Sequence, residues 1–348
     1  MTFLEAIYSF GCSIKKNYWF KHQKHLPFKV ISIGNITTGG TGKTPAAIAL
    51  AEGLRIKGYA PVILTRGYMG KAAGPCFVGS KKNINTLELS GNPQFCESVE
   101  EAGDEPLLMA EKLKNMPVVK CADRHEGGNF AISYLSGEHR NKLVFILDDG
   151  FQHWKLYRDV DVVLLDGASP FGNRRLLPLG ILREPLEELK RADAILVTKT
   201  RNSGLLEEIK ALNSGARVSF AEYAVDSFID IGGRDFAQES LKGKKAIAFC
   251  GIARPESFKN TLISIGIEVC DFVSFRDHYR YRQADIDFVC GRAEKADAEY
   301  ILATEKDGVK IRALNLRKNI LFARAKLKLN DDVLSFIEQK LNDNPEPK

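Results

Sequence analysis

Short apolar runs alternate with amphipathic segments along most of the chain, and the alternation predicts strand–loop–helix units. Residues 29-KVISIG-34 form a β-rich apolar run, 37-TTGGTGKT-44 a turn-rich loop, and 46-AAIALAEGLRIKG-58 a helical repeat closed by a glycine. Further runs at 61-PVILT-65, 117-PVVKC-121, 142-KLVFIL-147, 160-VDVVLLD-166 and 194-AILVTK-199 read as strands. A glycine-rich stretch from Arg66 to about Gln94 has weak periodicity, and a helix follows 103-GDEP-106. Strands apolar on both faces and separated by helices predict an α/β fold, a parallel sheet covered by helices on each side.

Residues 217-RVSFAEYAVDSFIDIGG-233 lack helical spacing and read as one or two extended strands, a connector. A second α/β pattern starts at 244-KKAIAFCGIA-253, continues through 299-EYILATEKD-307 and closes with a helix near 331–342. The expected division is therefore a larger domain over 29–225 and a smaller α/β domain over 226–342, with a disordered tail at 343–348.

Ahead of the first strand, Phe3, Ile7, Phe10, Ile14 and Tyr18 recur at helical steps, widened by Leu4 and Tyr8, over an arc of about 160°. Residues 1–30 carry five lysines against one glutamate, so +4 of the whole-chain net charge of +6 falls here. Lysines and aromatics at the end of such a helix suit an anionic membrane surface; packing against its own domain is the other reading.

Composition narrows the class. With 44% apolar and 27% charged residues, a collagen-like, mucin-like or fully disordered chain is excluded. The purest apolar runs stop far short of the roughly 20 residues a membrane span needs. A charge of +6 over 348 residues is a mild bias and argues against a nucleic-acid partner. Seven scattered cysteines without a C-x-x-C pair fit reduced, buried thiols in a cytoplasmic setting better than a disulfide frame or zinc site.

The chemistry starts in the loop between the first strand and helix. Thr37, Thr38, Gly39, Gly40, Thr41, Gly42, Lys43 and Thr44 match a P-loop except at Thr37, where the pattern has glycine. Such a loop bares backbone N–H groups to phosphate at a helix N-terminus. Lys43 is then expected on the β/γ-phosphates and Thr44 on Mg²⁺, and the fold becomes a P-loop NTPase-type sheet. The strand 142-KLVFILDDG-150 ends in Asp148 and Asp149, candidates for the metal side. Both can engage only if the chain turns there, because successive strand residues point to opposite faces. At 198-TKTR-201 the acid that guanine readers use is missing, which favours ATP.

Transfer to an alcohol needs a proton acceptor. Asp104, just before a helix, is one candidate, although such an aspartate more often serves as a cap. His278 in 275-FRDHYRY-281 is a second, with an ordinary surface or core histidine as the alternative. The loop 172-GNRRLLPLGILREP-185 is too proline-rich for a helix, and Arg174, Arg175 and Arg183 are candidates to grip anionic groups.

The ordered set GNITTGGTGKTP (34–45), LTRGY (64–68), GDEP (103–106), DDGFQH (148–153), the 172–185 loop, DHY (277–279) and TEKDGVKI (304–311) resembles the tetraacyldisaccharide 4′-kinase family, the lipid A kinases of Gram-negative bacteria. The resemblance spans residues 1 to about 311, and that family's P-loop also lacks the first glycine. It implies transfer of the ATP γ-phosphate to the 4′-hydroxyl of a tetraacylated glucosamine disaccharide 1-phosphate, giving lipid IV-A. It further implies an Asp104–His278 catalytic pair, Thr44, Glu105, Asp148 and Asp149 on the metal side, and Asn173, Arg174, Arg183 and Glu184 toward the acceptor. A peripheral place at the cytoplasmic face of the inner membrane, with residues 1–28 as the docking segment and no protein partner required, follows from the same likeness. The rival from another class is a switch or assembly ATPase of the partitioning type. Its K-G-G-x-G-K-T loop needs a lysine where Thr38 stands.

Overall fold

The computed structural model describes residues 2–81, 88–199, 203–316 and 320–343. Two compact units result: Met1–Glu222 together with the chain from Leu327 onward, and Tyr223–Lys326. The expected tail beyond Asp343, and Thr200 and Arg201 of the base-reading comparison, lie outside the described residues.

The first unit opens with helix α1 (Phe3–Lys21). Its strands are β1 (Lys29–Gly34), β2 (Ala60–Thr65), β3 (Cys76–Val78), β4 (Glu88–Leu89), β5 (Phe95–Cys96), β6 (Val118–Lys120), β7 (Leu135–Ser136), β8 (Leu143–Asp148), β9 (Val160–Asp166), β10 (Ala194–Thr198) and the start of β11 (Arg217–Ile229). Helices α2 (Lys43–Ile56), α3 (Val99–Ala102), α4 (Asp104–Lys112), α5 (Arg124–Tyr134) and α6 (Ser203–Leu212) connect them. The main sheet runs β11–β10–β9–β1–β8–β2–β6–β3–β5 and is parallel except where β3 meets β6. β1, β2, β8, β9 and β10 are buried almost throughout, which is why their sequences are apolar on both faces.

In the second unit β12 (Asp235–Ala237) pairs antiparallel with the end of β11. β13 (Lys245–Cys250), β14 (Glu268–Ser274), β15 (Tyr300–Thr304) and β16 (Ile320–Lys328) make a parallel sheet in the order β14–β13–β15–β16. Helices α7 (Pro255–Ser264), α8 (Gln283–Lys295) and α9 (Glu305–Ile311) cover it, with Phe249, Tyr281, Val289 and Phe322 among the core residues. Helix α10 (Asp331–Asp343), read from sequence as the end of the small domain, groups with the first unit. It packs on α2: Leu334 reaches the space beside Gly53, and Lys57 Nζ donates to Glu338 at 2.5 Å.

Helix α1 reverses the usual order of an amphipathic helix. Phe3, Ile7, Phe10, Ile14 and Tyr18 are all more than half exposed, whereas Glu5 is buried. The polar side, with Tyr8 from the edge of the stripe, faces the protein: Arg175 Nε and Nη2 donate to Glu5 at 3.2 Å each, Tyr8 Oη donates to the Arg183 carbonyl at 3.0 Å, and Lys16 pairs with Glu188. Hydrogen bonds from Arg175 and the Thr2 amide hold the Glu5 carboxyl down at about 2.

One expectation is corrected. Cys76 and Cys96 form a disulfide, where reduced thiols were anticipated. Parallel pairing of β3 with β5, Phe77 opposite Phe95 and Val78 opposite Cys96, brings two residues 20 apart in sequence to a Cα separation of 6.1 Å.

Candidate active site

The site grows from the end of β1. Ile33 pairs with Asp148 of β8, and the Gly150 amide donates to the Ile33 carbonyl at 2.9 Å. A Cβ on Gly34 would lie 2.5 Å from Phe151 Cβ and 2.7 Å from Phe151 N, so only glycine lets the two strand ends approach this closely. The phosphate loop and the acidic strand end are thereby fixed side by side.

Gly39 and Gly42 adopt φ of +102° and +89°, and Gly42 leads directly into α2. The N-terminal amides of α2 therefore open toward the loop, an arrangement that favours phosphate. Asn35 organises the interior: its Nδ2 donates to Thr41 Oγ1 at 3.0 Å, and its Oδ1 accepts from Lys43 Nζ at 3.3 Å. Thr37 and Thr41 are buried. Thr38 is committed to the acceptor-side loop, its amide donating to the Ile181 carbonyl at 2.7 Å.

The two strand-end aspartates diverge as the turn requires. Asp148 ends β8 and is buried, its Oδ2 accepting from Thr65 Oγ1 at 3.1 Å while its Oδ1 has no protein partner. Burial, with the negative charges of Glu105 and Asp149, pushes its carboxyl up to about 7. Asp149 takes φ +50° and swings toward cations: Arg183 Nη1 and Lys43 Nζ. Burial alone would raise its pKa, but Lys43 and Arg183 hold it below the ordinary carboxylate value.

Helix α4 joins from the other side. Thr44 Oγ1 donates to Glu105 Oε2 at 3.3 Å, bringing the first turns of α2 and α4 together. Asp104 is the first residue of α4, buried, and its Oδ1 accepts from the Glu105 amide at 2.9 Å. Thr44, Glu105 and Asp148 thus form an oxygen-rich corner with one orphaned buried carboxylate oxygen, chemistry that suits a hard divalent cation. Among the described residues no three His, Cys, Asp or Glu side chains form a metal cage by themselves. Mg²⁺ beside a nucleotide takes most of its ligands from phosphate and water, so these residues fit it.

The 172–185 loop spreads its charged residues among several elements. Arg174 Nη2 donates to Glu208 at 2.9 Å, Arg175 holds Glu5, and Arg183 holds Asp149. Asn173 shapes the loop, accepting from the Arg175 amide at 3.2 Å and donating to the Leu179 carbonyl at 3.0 Å. Glu184 is buried between Arg191 Nη2 at 2.6 Å and Gln152 Nε2 at 2.7 Å. Asn35 and Arg191 received no role from sequence, although Asn35 stands inside a quoted motif; a neutral amide carries no charge signal to single it out.

His278 belongs to the second unit. It has φ +56°, its Nε2 lies 3.5 Å from Lys306 Nζ, and its amide donates to Asp277 Oδ1 at 3.0 Å. The TEKD segment supports this corner. Asp307 is fully buried and accepts from Tyr281 Oη at 2.9 Å and the Gly251 amide at 3.1 Å, with Lys310 Nζ at 2.8 Å.

A glycine-turned loop feeding a helix N-terminus, a lysine beside a strand-end acidic pair, and a parallel sheet define a P-loop nucleoside triphosphate-binding protein of the kinase type. The family model for tetraacyldisaccharide-1-P 4′-kinase matches residues 1–342. The chain is 39% identical to a tetraacyldisaccharide 4′-kinase of Syntrophus aciditrophicus over 82% of its length and 76% of that protein. It is 35% identical to the one from Halothermothrix orenii over 98% and 86%. It also superimposes on the crystal structure of LpxK from Aquifex aeolicus in complex with ATP, with a TM-score of 0.73, 32% identity and 97% of both chains covered. The chain belongs to the tetraacyldisaccharide 4′-kinase family.

Proposed function

We propose that this protein transfers the γ-phosphate of ATP to the 4′-hydroxyl of tetraacyldisaccharide 1-phosphate, the step that yields lipid IV-A. The observation that carries the reading is the 3.3 Å contact from Thr44 Oγ1 to Glu105 Oε2. It sets the head of α4, with buried Asp104, against the head of α2, where the triphosphate is cradled. Membership of the family supports the same assignment.

In this reading the amides of Gly39–Thr44 wrap the β-phosphate and Lys43 neutralises charge on the transferring group. Thr44, Glu105 and Asp148 would hold Mg²⁺, which would supply Lewis-acid neutralisation of the phosphate charge. Asp149, ionised between Lys43 and Arg183, orients Lys43. Asp104 takes the proton from the 4′-hydroxyl, and His278 assists it as the imidazole partner. Asn173, Arg174, Arg183 and Glu184 shape the acceptor side. The exposed apolar side of α1 lies on an anionic membrane at its cytoplasmic face; among the described residues no helix is long and apolar enough to cross a membrane.

The test is incubation of pure protein with γ-labelled ATP, Mg²⁺ and lipid A disaccharide 1-phosphate. A labelled lipid is expected, with little hydrolysis when the acceptor is left out. Acceptor-independent ATP hydrolysis without a labelled lipid would return the protein to the switch ATPase class.

A further inference from the structure

Beyond the residues that meet nucleotide or acceptor, one buried lysine has no role in the chemistry described. Lys120 ends β6 after Val118 and Val119 and is only 2% exposed. Its neighbours on both sides are strands: it is paired with Thr65 of β2 and with Cys76 of β3. An apolar side chain would fill that slot without desolvating a charge, so an ammonium here needs a reason. Burial pushes its pKa down, with the charge of Glu101 opposing the shift.

The ammonium donates to the backbone carbonyl of Glu101, three residues before Asp104. On the way the side chain passes beneath the turn that follows β2. A Cβ on Gly67 would lie 2.4 Å from Lys120 Cε, and one on Gly70 would lie 2.5 Å from Lys120 Nζ and 2.5 Å from the Glu101 carbonyl oxygen. The same turn lies flat on the residues leading to Asp104. The Lys71 amide donates to Glu100 O at 2.7 Å and the Ala72 amide to Glu101 O at 3.1 Å. Gly103, at φ +95°, passes so near Tyr68 that a Cβ there would be 2.5 Å from its carbonyl. The 66–72 turn and the end of α3 through Gly103 are therefore laced together, with the Lys120 ammonium in the seam.

We propose that Lys120 is a positioning residue for phosphate transfer: by holding the Glu101 carbonyl it fixes the bend at Gly103 and so the direction in which Asp104 leaves the head of α4. The proposal rests on the reading of Asp104 as the proton acceptor. It also gives the glycines of the 66–70 segment a purpose, since each makes room for the lysine or for the strand of backbone it holds. Lys120 itself touches neither nucleotide nor acceptor.

The experiment compares Lys120→Met, Lys120→Gln and Asp104→Asn in the full-length protein, with kcat normalised to nucleotide-binding stoichiometry. Lys120→Met keeps the length and apolar stem but loses the donor; kcat is expected to fall at least about tenfold with ATP affinity within about twofold of wild type. Lys120→Gln, which keeps an N–H donor, is expected to recover part of that loss, and it carries the same kcat-against-affinity comparison should Lys120→Met fail to fold. Adding Lys120→Met to Asp104→Asn is expected to cost less than about twofold more, because the lysine acts through the aspartate. Unchanged kcat in Lys120→Met, parallel loss of kcat and ATP affinity, no recovery with Gln, or a multiplicative double variant would each overturn the proposal. Full transfer by Asp104→Asn would instead overturn the reading of Asp104, a separate and distinguishable result.

Discussion

Nη1 of Arg183 lies 2.9 and 3.0 Å from the two carboxylate oxygens of Asp149. The same carboxylate stands 3.6 Å from Lys43 Nζ, so one anion is shared between two cations of different duty. The arginine takes the close contact and leaves the lysine loosely held, within reach of a phosphate. Neither cation is deeply buried, which keeps the exchange of partners inexpensive.

Arg183→Gln should therefore draw Lys43 onto Asp149 and compete with nucleotide. The expected effect is a five- to tenfold weaker ATP affinity, about 1 to 1.4 kcal/mol. Isothermal titration with a non-hydrolysable ATP analogue measures it, and an unchanged dissociation constant would mean that Arg183 serves the acceptor side alone.

Asp148 makes a prediction about stability and pH. Its folded pKa of about 7 stands above the ordinary aspartate value, the sign opposite to a salt-bridged carboxylate. The unfolded chain releases this proton near pH 4, the folded one only near pH 7. The group thus weakens the fold progressively as pH rises through that window, by at most about 4 kcal/mol at the top. Asp148→Asn, which keeps an acceptor for Thr65, should raise the melting temperature of the nucleotide-free protein at pH 8 and leave it unaltered at pH 4. A variant that melts no higher than the wild type at pH 8 would show that the buried carboxylate costs nothing.

Much of this site was legible before the fold was known, for identifiable reasons. β1 and β9 were read to the residue, because a strand buried on both faces writes itself as a continuous apolar run. The loop 37–44 was legible because glycine at positive φ, lysine and threonine at fixed spacing have few other uses. Other features were hidden because they depend on what lies across from a residue. The period of α1 shows that it has an apolar stripe but cannot tell whether that stripe meets protein; Glu5 buried against Arg175 settles it. Cys76 and Cys96 meet only because a short parallel pairing closes the glycine-rich stretch, and α10 joins the first unit through contacts with α2 that no local pattern encodes. Asn35 and Gln152 are neutral amides whose convergence exists only in three dimensions.

His153 carries a second pH effect of the opposite sense. Its ring is partly buried, with Nε2 buried and unpartnered, and burial together with the charge of Arg124 pushes the imidazole down to about 3. The unfolded chain takes up a proton as pH falls through 6.5, whereas the folded one resists it down to about 3, so stability is lost between those values. His153→Phe should remove that portion of the acid sensitivity, flattening the decline of the denaturation midpoint between pH 6.5 and pH 4 by up to roughly 3 kcal/mol. Urea titrations at a series of pH values test this. A variant whose midpoint falls as steeply as wild type would show that the folded ring accepts its proton freely.

The exposed face of α1 sets the last expectation. Phe3 is 79% and Phe10 69% exposed, yet the helix is fastened to the body through Glu5, Tyr8 and Lys16. Fastening by the polar side holds the apolar side outward at a fixed inclination, which a loosely attached helix would not do. Immersing Phe3, Ile7 and Phe10 in the headgroup boundary is worth on the order of 3 to 6 kcal/mol in total, since burial there is partial. The triple variant F3S/I7S/F10S should then lose a hundredfold or more in binding to vesicles containing phosphatidylglycerol. Its turnover on acceptor dispersed in detergent should fall far less, because the residues that hold α1 to the body are untouched. Raised salt should weaken the wild type as well, through the lysines that follow the stripe. Equal co-sedimentation of variant and wild type with the vesicles would show that the outward face of α1 has some other use.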